Sequence, residues 1–159
     1  MPENIVKLED CSKKEQYELL LQQLAALVGG EKDVVANMAN FSAALKEVFE
    51  FWWVGFYLVK NEQLVLGPFQ GPVACTRIAY GCGVCGTAWR EMQTLIVPDV
   101  DQFPGHIACS SLSRSEIVVP LMADGEVWAV LDIDSSELAA FDAIDQMYLE
   151  QLVKLVEKV

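Results

Sequence analysis

The sequence predicts an α+β domain, with a mainly antiparallel sheet of about six strands and helices from both ends of the chain packed on it. Helical patterns follow Ser12 and Asp33, hairpin patterns occupy 51–69 and 115–134, and a final amphipathic pattern follows Asp142. Neighbouring strands joined by tight turns run antiparallel. Helices that flank such strands in sequence must bury their apolar faces against the sheet, which is an α+β arrangement.

Composition limits the classes of protein to which the chain can belong. The 159 residues, 53% of them hydrophobic, are expected to form a single domain over 1–159 with a substantial core. The net charge of −12, with no basic stripe, disfavours binding to nucleic acid and to anionic membranes. No apolar run is long enough to predict a transmembrane helix, and the N-terminus does not resemble a signal peptide. We therefore expect a cytoplasmic protein.

Two helices are expected at the N-terminus. Ser12 and Glu15 fit a capping box, and apolar residues then recur at helical spacing until Gly29. Asp33 fits the cap of a second helix, whose apolar face extends to Phe49. Both helices would present an apolar face that a sheet can bury.

The sheet is expected from aromatic, β-branched and alternating segments that are separated by turn residues. Strands are predicted at 51–59, 63–69, 75–80, 95–97, 115–122 and 126–134, with a short helix at 84–92. Asp124-Gly125 is a strong signal for the second hairpin. The remaining segment, 99–114, is longer than most connections between elements, which favours a functional role.

Four of the five cysteines lie close together in the sequence. Cys75, Cys82, Cys85 and Cys109 occur in or beside glycine-rich or loop-like segments, whereas Cys11 is isolated. Structural cysteines are usually small apolar residues inside hydrophobic runs, so any one of these cysteines could be inert, but the group indicates thiol chemistry or metal binding. The odd number of cysteines in a reducing compartment argues against a static disulfide framework.

Two interpretations of the cysteines remain open at this point. In the first, Cys82-x2-Cys85 and His106-x2-Cys109 hold a structural zinc ion, although such sites usually stabilise small domains that lack a core. In the second, an accessible thiol acts as a nucleophile, and one or two others resolve it. Cys109 lies in the long loop, Cys75 begins a predicted strand, and Cys85 starts a predicted helix, where a thiolate would be favoured.

Acidic and aromatic side chains accompany these cysteines. Asp132 and Asp134 are two residues apart on a predicted strand and therefore share one face of it, and Glu116 starts the preceding strand. They could be a solvent-facing edge, or a pocket that binds an ammonium group or donates a proton from a carboxyl group whose pKa is raised. Trp53 and Tyr57 share one face of the first strand, where they could belong to the core or to a pocket wall.

Four segments together resemble the free methionine-(R)-sulfoxide reductases, which are single GAF-domain enzymes. They read GVCGTA at 83–88, GHIAC at 105–109, SEIVVP at 115–120 and VLDIDS at 130–135, and they occur in the order found in the family. The resemblance implies a GAF-like fold and reduction of free methionine-(R)-sulfoxide. One departure is Cys82, where the family pattern leads us to expect a basic residue. The extra thiol could support an alternative disulfide.

The resemblance also implies roles for eight side chains. Catalytic roles fall to Cys109 as the nucleophile, to Cys75, Cys85 and Glu116, and substrate-binding roles fall to Trp53, Tyr57, Glu116, Asp132 and Asp134. The implied reaction passes through a sulfenic acid and a disulfide, and thioredoxin or a similar dithiol restores the enzyme. No metal or organic cofactor is implied, and a homodimer is compatible with these features. The alternative function is a GAF-type sensor that binds a small molecule or reports oxidation without turnover.

Overall fold

A computed structural model describes residues 4–156 of the chain; the ends of the predicted domain, 1–3 and 157–159, lie outside the described residues. The helices and strands, in chain order, are α1 (Lys13–Val28), α2 (Val34–Phe49), β1 (Trp53–Lys60), β2 (Gln63–Gln70), β3 (Arg77–Ala79), α3 (Gly83–Glu91), β4 (Leu95–Val97), β5 (Ser115–Ala123), β6 (Glu126–Ser135) and α4 (Ala143–Leu152). Short 3₁₀ turns occur at Val100–Gln102 and Val153–Leu155.

The six strands form one sheet in the order β3-β2-β1-β6-β5-β4, and all neighbours are antiparallel. The predicted α+β class and the antiparallel sheet of six strands are confirmed. The two hairpins join in the middle of the sheet, where β1 pairs with β6. This pairing sets Trp53 opposite Asp134 and Gly55 opposite Asp132, while the β5–β6 pairing sets Glu116 opposite Asp134. Side chains that are distant in sequence therefore share one face of the sheet.

Alternation along the strands divides the apolar residues between two cores. On one face, Phe56 and Leu131 pack against helices α1, α2 and α4. On the opposite face, Tyr57 and Val130 pack against α3, through residues that include Val84. The larger core holds the helices from the two chain ends, and the smaller core holds the side chains predicted to be functional.

The predicted helix caps on the larger core are confirmed. Ser12 forms the expected capping box with Glu15, and the Asp33 side chain accepts a hydrogen bond from the backbone N–H of Ala36. Asp142 caps α4, and its partner in a second capping box is Asp145. These caps satisfy backbone N–H groups that have no partner inside a helix.

The structure corrects several predicted boundaries around the smaller core. The third strand covers only Arg77–Ala79, so Cys75 precedes it instead of beginning it. The short helix begins at Gly83, where φ is +61°, a value that glycine adopts without strain. The first strand begins at Trp53, two residues later than predicted. Between residues 4 and 156, no helix combines the length and apolar character needed to cross a bilayer.

Candidate active site

A cavity of about 40 Å³ lies between α3, the β1–β6–β5 face of the sheet and the segment 99–114. Of the eight side chains predicted to be functional, seven line it: Trp53, Tyr57, Cys85, Cys109, Glu116, Asp132 and Asp134. The eighth, Cys75, is bonded to one of the seven. The structure therefore brings the whole predicted set together, although these residues come from six separate parts of the chain.

Cys75 and Cys109 form a disulfide across 34 residues of sequence, with their Cα atoms 5.6 Å apart. Both residues are partly exposed. The Tyr57 hydroxyl donates a hydrogen bond of 2.8 Å to the backbone carbonyl of Cys75, which fixes that side of the pair to β1. On the other side, the Cys109 N–H donates to the carbonyl of Ile107, which forms a tight turn in the loop.

Cys85 lies in a different environment, and here the expectation of a thiolate is wrong. It occupies the first turn of α3, but its side chain enters the cavity and is only 3% exposed. Burial raises the pKa of this thiol well above its usual value, and the carboxylates of Asp132 and Glu116 raise the pKa further. The helix N-terminus does not outweigh these effects, so Cys85 holds its proton at neutral pH.

Three acidic side chains lie beside Cys85. Glu116 is 5% exposed and Asp132 is 7% exposed, while Asp134 is half-buried. Burial is the main cause that raises the pKa of all three carboxyl groups: the pKa of Asp132 rises to about 6, and those of Glu116 and Asp134 rise well above their usual values. Of the two sequence interpretations, a solvent-facing edge is therefore wrong for Glu116 and Asp132.

Opposing contacts distinguish the three acids from one another. The Ser113 hydroxyl donates a hydrogen bond of 2.6 Å to Asp134 Oδ1, which counteracts part of the effect of burial. The charges of Asp132 and Asp134 further raise the pKa of Glu116. Glu116 is therefore the acid that best combines burial with retention of a proton, as a general acid requires.

His106, considered from the sequence only as a zinc ligand, lines the same cavity. Its Nε2 atom lies 3.7 Å from Glu116 Oε2, and its side chain is only 14% exposed. Burial lowers the pKa of His106, while the charge of Asp101 opposes this shift. Within residues 4–156, no lysine or arginine forms an ion pair with the acids of the cavity.

The aromatic wall depends on a glycine that sequence reasoning did not identify. The rings of Trp53 and Tyr57 are stacked with their centroids 6.0 Å apart, and Trp53 also stacks on Phe69. A Cβ atom on Gly55, which lies between them on β1, would overlap both Phe69 and the Trp53 ring. The bulge in the β1–β2 pairing at this point is a three-dimensional feature that the sequence alone does not reveal.

The zinc ligand set suggested by sequence spacing does not form. Cys109 is bonded to Cys75, and Cys82 is exposed at the N-cap of α3, where its sulfur makes no capping hydrogen bond. Among the described residues, the donor atoms close enough to hold a metal ion belong instead to Cys85, Glu116 and Asp132. Cys11 lies away from the cavity, as its isolated position in the sequence suggests.

Comparisons with known proteins identify the family. A family model for the GAF domain matches residues 32–158. A curated Escherichia coli protein named free methionine-R-sulfoxide reductase is 47% identical over 149 residues, which cover 93% of this chain and 90% of that protein. The chain belongs to the free methionine-R-sulfoxide reductase family of GAF-domain proteins. The resemblance found in the four sequence motifs, and the GAF-like fold that it implied, are confirmed.

Two further members of this group extend over nearly the whole chain. GAF domain-containing protein A of Dictyostelium discoideum is 63% identical over 153 residues, which cover 96% of this chain and 97% of that protein. The X-ray structure of the free methionine-R-sulfoxide reductase from Neisseria meningitidis, in complex with its substrate, is 53% identical. It superposes with a TM-score of 0.93 over 97% of this chain and 94% of that chain.

Proposed function

We propose that this protein reduces free L-methionine-(R)-sulfoxide to methionine, with Cys109 as the nucleophile and Cys75 as the thiol that resolves it. The observation that carries the proposal is that Cys109, which is bonded to Cys75, lines one cavity with Glu116, a buried acid whose raised pKa favours its protonated form. The family of the chain supports the same activity, because relatives from separate organisms carry that name.

The first chemical step joins the Cys109 sulfur to the sulfoxide. The thiolate of Cys109 attacks the sulfoxide sulfur, and Glu116 donates a proton to the oxygen, which would otherwise be a poor leaving group. The hydroxyl group then moves from the substrate sulfur to the Cys109 sulfur as the bond between the two sulfurs breaks, so that methionine is released and Cys109 becomes a sulfenic acid. Glu116 suits this role because burial raises its pKa and keeps the carboxyl protonated near neutral pH.

The second step forms the disulfide and returns the protein to its starting state. The Cys75 thiol attacks the sulfenic sulfur of Cys109, and the oxygen leaves as water. A thioredoxin-like dithiol then reduces the disulfide by thiol–disulfide exchange, which requires a reducing compartment such as the cytoplasm. Both cysteines are partly exposed, so an external thiol can approach the bond. Buried Cys85 is poorly suited to this step.

Selection of the free amino acid follows from charge and enclosure. Asp132 and Asp134 face the substrate ammonium group, whose positive charge favours their ionised forms despite burial. A methionine inside a peptide lacks this ammonium group. Trp53 and Tyr57 provide flat apolar surfaces for the methyl group on sulfur. The cavity of about 40 Å³, which has room for roughly three water molecules, must widen before the substrate enters. Reduction of the disulfide would free the loop that carries Cys109 from Cys75.

Turnover with a small dithiol tests this proposal. Purified protein is incubated with dithiothreitol and free methionine sulfoxide, and the methionine released is measured over time. We expect many methionine molecules per protein chain. Oxidation of the cysteines without repeated release of methionine would overturn the proposal and favour the sensor alternative.

A further inference from the structure

Three donor groups with exchangeable protons converge in the cavity, and no lysine or arginine among residues 4–156 forms an ion pair with them. The donor atoms of Cys85, Glu116 and Asp132 all lie within 4.8 Å of one another, and all three residues are buried. Cys85 Sγ lies 4.0 Å from Glu116 Oε1, and His106 Nε2 lies 3.7 Å from the other oxygen of the same carboxyl group. The thiol and the two carboxyl groups, which come from α3 and two strands, therefore surround one point, and the imidazole contacts the Glu116 carboxyl group.

A second observation indicates that this cluster lacks a ligand. Asp132 lines the cavity and is only 7% exposed, and its Oδ1 atom has no hydrogen-bond partner among the described residues. A buried carboxylate oxygen without a donor is unfavourable, so such atoms usually face a ligand, a water molecule or an ion. Asp134 is different, because the Ser113 hydroxyl donates to it. The unpartnered oxygen belongs to the acid that stands beside the thiol.

We propose that Cys85, Glu116 and Asp132 form a binding site for Zn²⁺, with a water molecule as the fourth ligand. Zinc accepts sulfur, imidazole nitrogen and carboxylate oxygen in a tetrahedron, at bond lengths of about 2.0–2.3 Å. These lengths place neighbouring donors roughly 3.3–3.8 Å apart. The three donor atoms lie within 4.8 Å of one another, so their separations must shorten by about 1 Å or less when the ion binds. A thiol favours zinc over magnesium or calcium, which prefer oxygen ligands alone.

Binding of the ion replaces protons and needs no oxidant or reductant. The Cys85 thiol and any protonated carboxyl group release their protons to solvent when the metal bonds form. The cavity of about 40 Å³ is large enough for an ion and a water molecule. Because both members of the Cys75–Cys109 disulfide lie outside the ligand set, the oxidised protein and the reduced protein should both bind the ion.

The bound ion would act as an inhibitor. It would occupy Glu116 and Asp132, which the proposed reaction requires for the proton and for the substrate ammonium group. Inhibition should therefore compete with methionine sulfoxide. This consequence rests on the proposed function, whereas metal binding itself does not.

Cobalt provides a direct probe of the site, because a bond between Co²⁺ and a thiolate gives a charge-transfer absorption. The protein is reduced with a phosphine, freed of it and titrated with Co²⁺ and then with Zn²⁺. We expect one ion per chain, the absorption of a cobalt–thiolate bond, and displacement of cobalt by zinc. Oxidised protein should give the same result.

Variants identify the ligands. Cys85→Ser should remove the cobalt–thiolate absorption. Glu116→Gln and Asp132→Asn should each weaken zinc binding. Each loss should exceed the roughly 10–100-fold that is typical when a residue hydrogen-bonded to a metal ligand is replaced. Cys11→Ser, Cys82→Ser and Cys109→Ser should keep the absorption. Absorption that survives Cys85→Ser, or that disappears in Cys82→Ser or Cys109→Ser, would overturn the assignment. Two carboxyl variants are included so that the test does not depend on the folding of one.

Activity measurements separate this proposal from the proposed function. If cobalt binds as expected but the metal-free protein does not reduce methionine sulfoxide, the metal site stands and the proposed reaction fails. If the protein reduces the sulfoxide but binds neither ion, the metal site fails and the reaction stands. Zinc that binds at Cys85 but inhibits without competing with the sulfoxide overturns the inhibitory part of the proposal.

Discussion

His106 Nε2 lies 3.7 Å from Glu116 Oε2, and Cys109 follows His106 by three residues on the same loop. The loop that carries the proposed nucleophile is therefore in contact with the proposed acid. Burial lowers the pKa of His106 and raises the pKa of Glu116, so burial favours the neutral form of both groups. In the proposed reaction, protonated Glu116 donates to a substrate that enters between the loop and the sheet.

Substrate selection gives the first prediction. The protein should reduce free L-methionine-(R)-sulfoxide and leave the S epimer unchanged, because one sulfur configuration directs the oxygen toward Glu116 while the sulfur faces Cys109. Methionine sulfoxide inside a peptide should react poorly, since it has no ammonium group for Asp132 and Asp134. Chiral chromatography of the remaining substrate measures the preference. Equal rates on free and internal sulfoxide would contradict the binding role of the aspartates.

The second prediction concerns the proton donor. Glu116→Gln should lower kcat by about 10²–10⁴-fold, because a carboxamide cannot donate the proton at a useful rate. Glu126→Gln is the matched control, since Glu126 is exposed at the start of β6 and should leave kcat unchanged. Steady-state rates and circular dichroism of both variants complete the measurement. A Glu116→Gln variant with an unchanged rate would transfer the acid role to Asp132 or Asp134.

The third prediction separates the nucleophile from the resolving thiol. Cys109→Ser should abolish even the first turnover, since no other residue is proposed to attack the sulfoxide. Cys75→Ser should still release about one methionine per chain, because the first attack needs no partner, and recycling should then be slow. Rapid-quench measurement of methionine distinguishes the two variants. A first turnover that survives in Cys109→Ser but is lost in Cys75→Ser would reverse the two assignments.

The fourth prediction concerns Cys82 and Cys85, two of the three thiols that are outside the disulfide. Cys82→Ser should recycle at a normal rate, because Cys82 is exposed and the Cys75–Cys109 pair is complete without it. Cys85→Ser should still form that same disulfide, since Cys85 is buried and holds its proton. Mass spectrometry of peptides from the oxidised variants locates the bond. A disulfide between Cys82 and Cys109 in the wild-type protein would show that the extra thiol resolves the sulfenic acid.

Local sequence signals predicted the elements of this fold but not the depth of the site. Ser12, Asp33 and Asp142 act as caps through contacts with residues only a few positions away, so a sequence is sufficient to identify them. The two-residue periodicity of strands placed Asp132 and Asp134 on one face. Burial of Cys85, in contrast, depends on how closely α3 approaches the sheet, and that distance is set by contacts remote in sequence.

Pairing partners were also beyond local reasoning. The disulfide joins Cys75 and Cys109 across 34 residues, and the β1–β6 pairing that brings Trp53 opposite Asp134 spans an even longer segment. The sequence alone left Cys75, Cys85 and Cys82 as candidates for the resolving thiol. The fold places them differently: Cys75 is bonded to Cys109, Cys85 faces the acidic cavity, and Cys82 is exposed.

The fifth prediction concerns the cost of the buried acid to stability. The pKa of Glu116 is raised in the folded protein, so the folded state holds this proton more tightly than the unfolded state does. The stabilising effect of that proton is complete below the unfolded pKa, near 4.5, and is lost as the pH rises through the folded pKa. Between these two pKa values, the Glu116 carboxyl group lowers the free energy of unfolding by about 1.4 kcal/mol for each unit by which the pH rises.

Glu116→Gln should therefore be more stable than the wild-type protein at neutral and alkaline pH, because a neutral amide replaces a carboxyl group that is costly to ionise. The difference should shrink as the pH falls toward 4.5 and below, where the wild-type carboxyl group is protonated in both states. This difference in the free energy of unfolding is measured by urea unfolding at a series of pH values, with a chelator present to exclude bound metal. Glu126→Gln again serves as the control. A Glu116→Gln variant whose deficit in stability grows with pH would show that the ionised carboxylate has a stabilising partner in the folded protein. In that case Glu116 would be an anionic ligand for the substrate amine, and the proton for the sulfoxide would have to come from another group in the cavity.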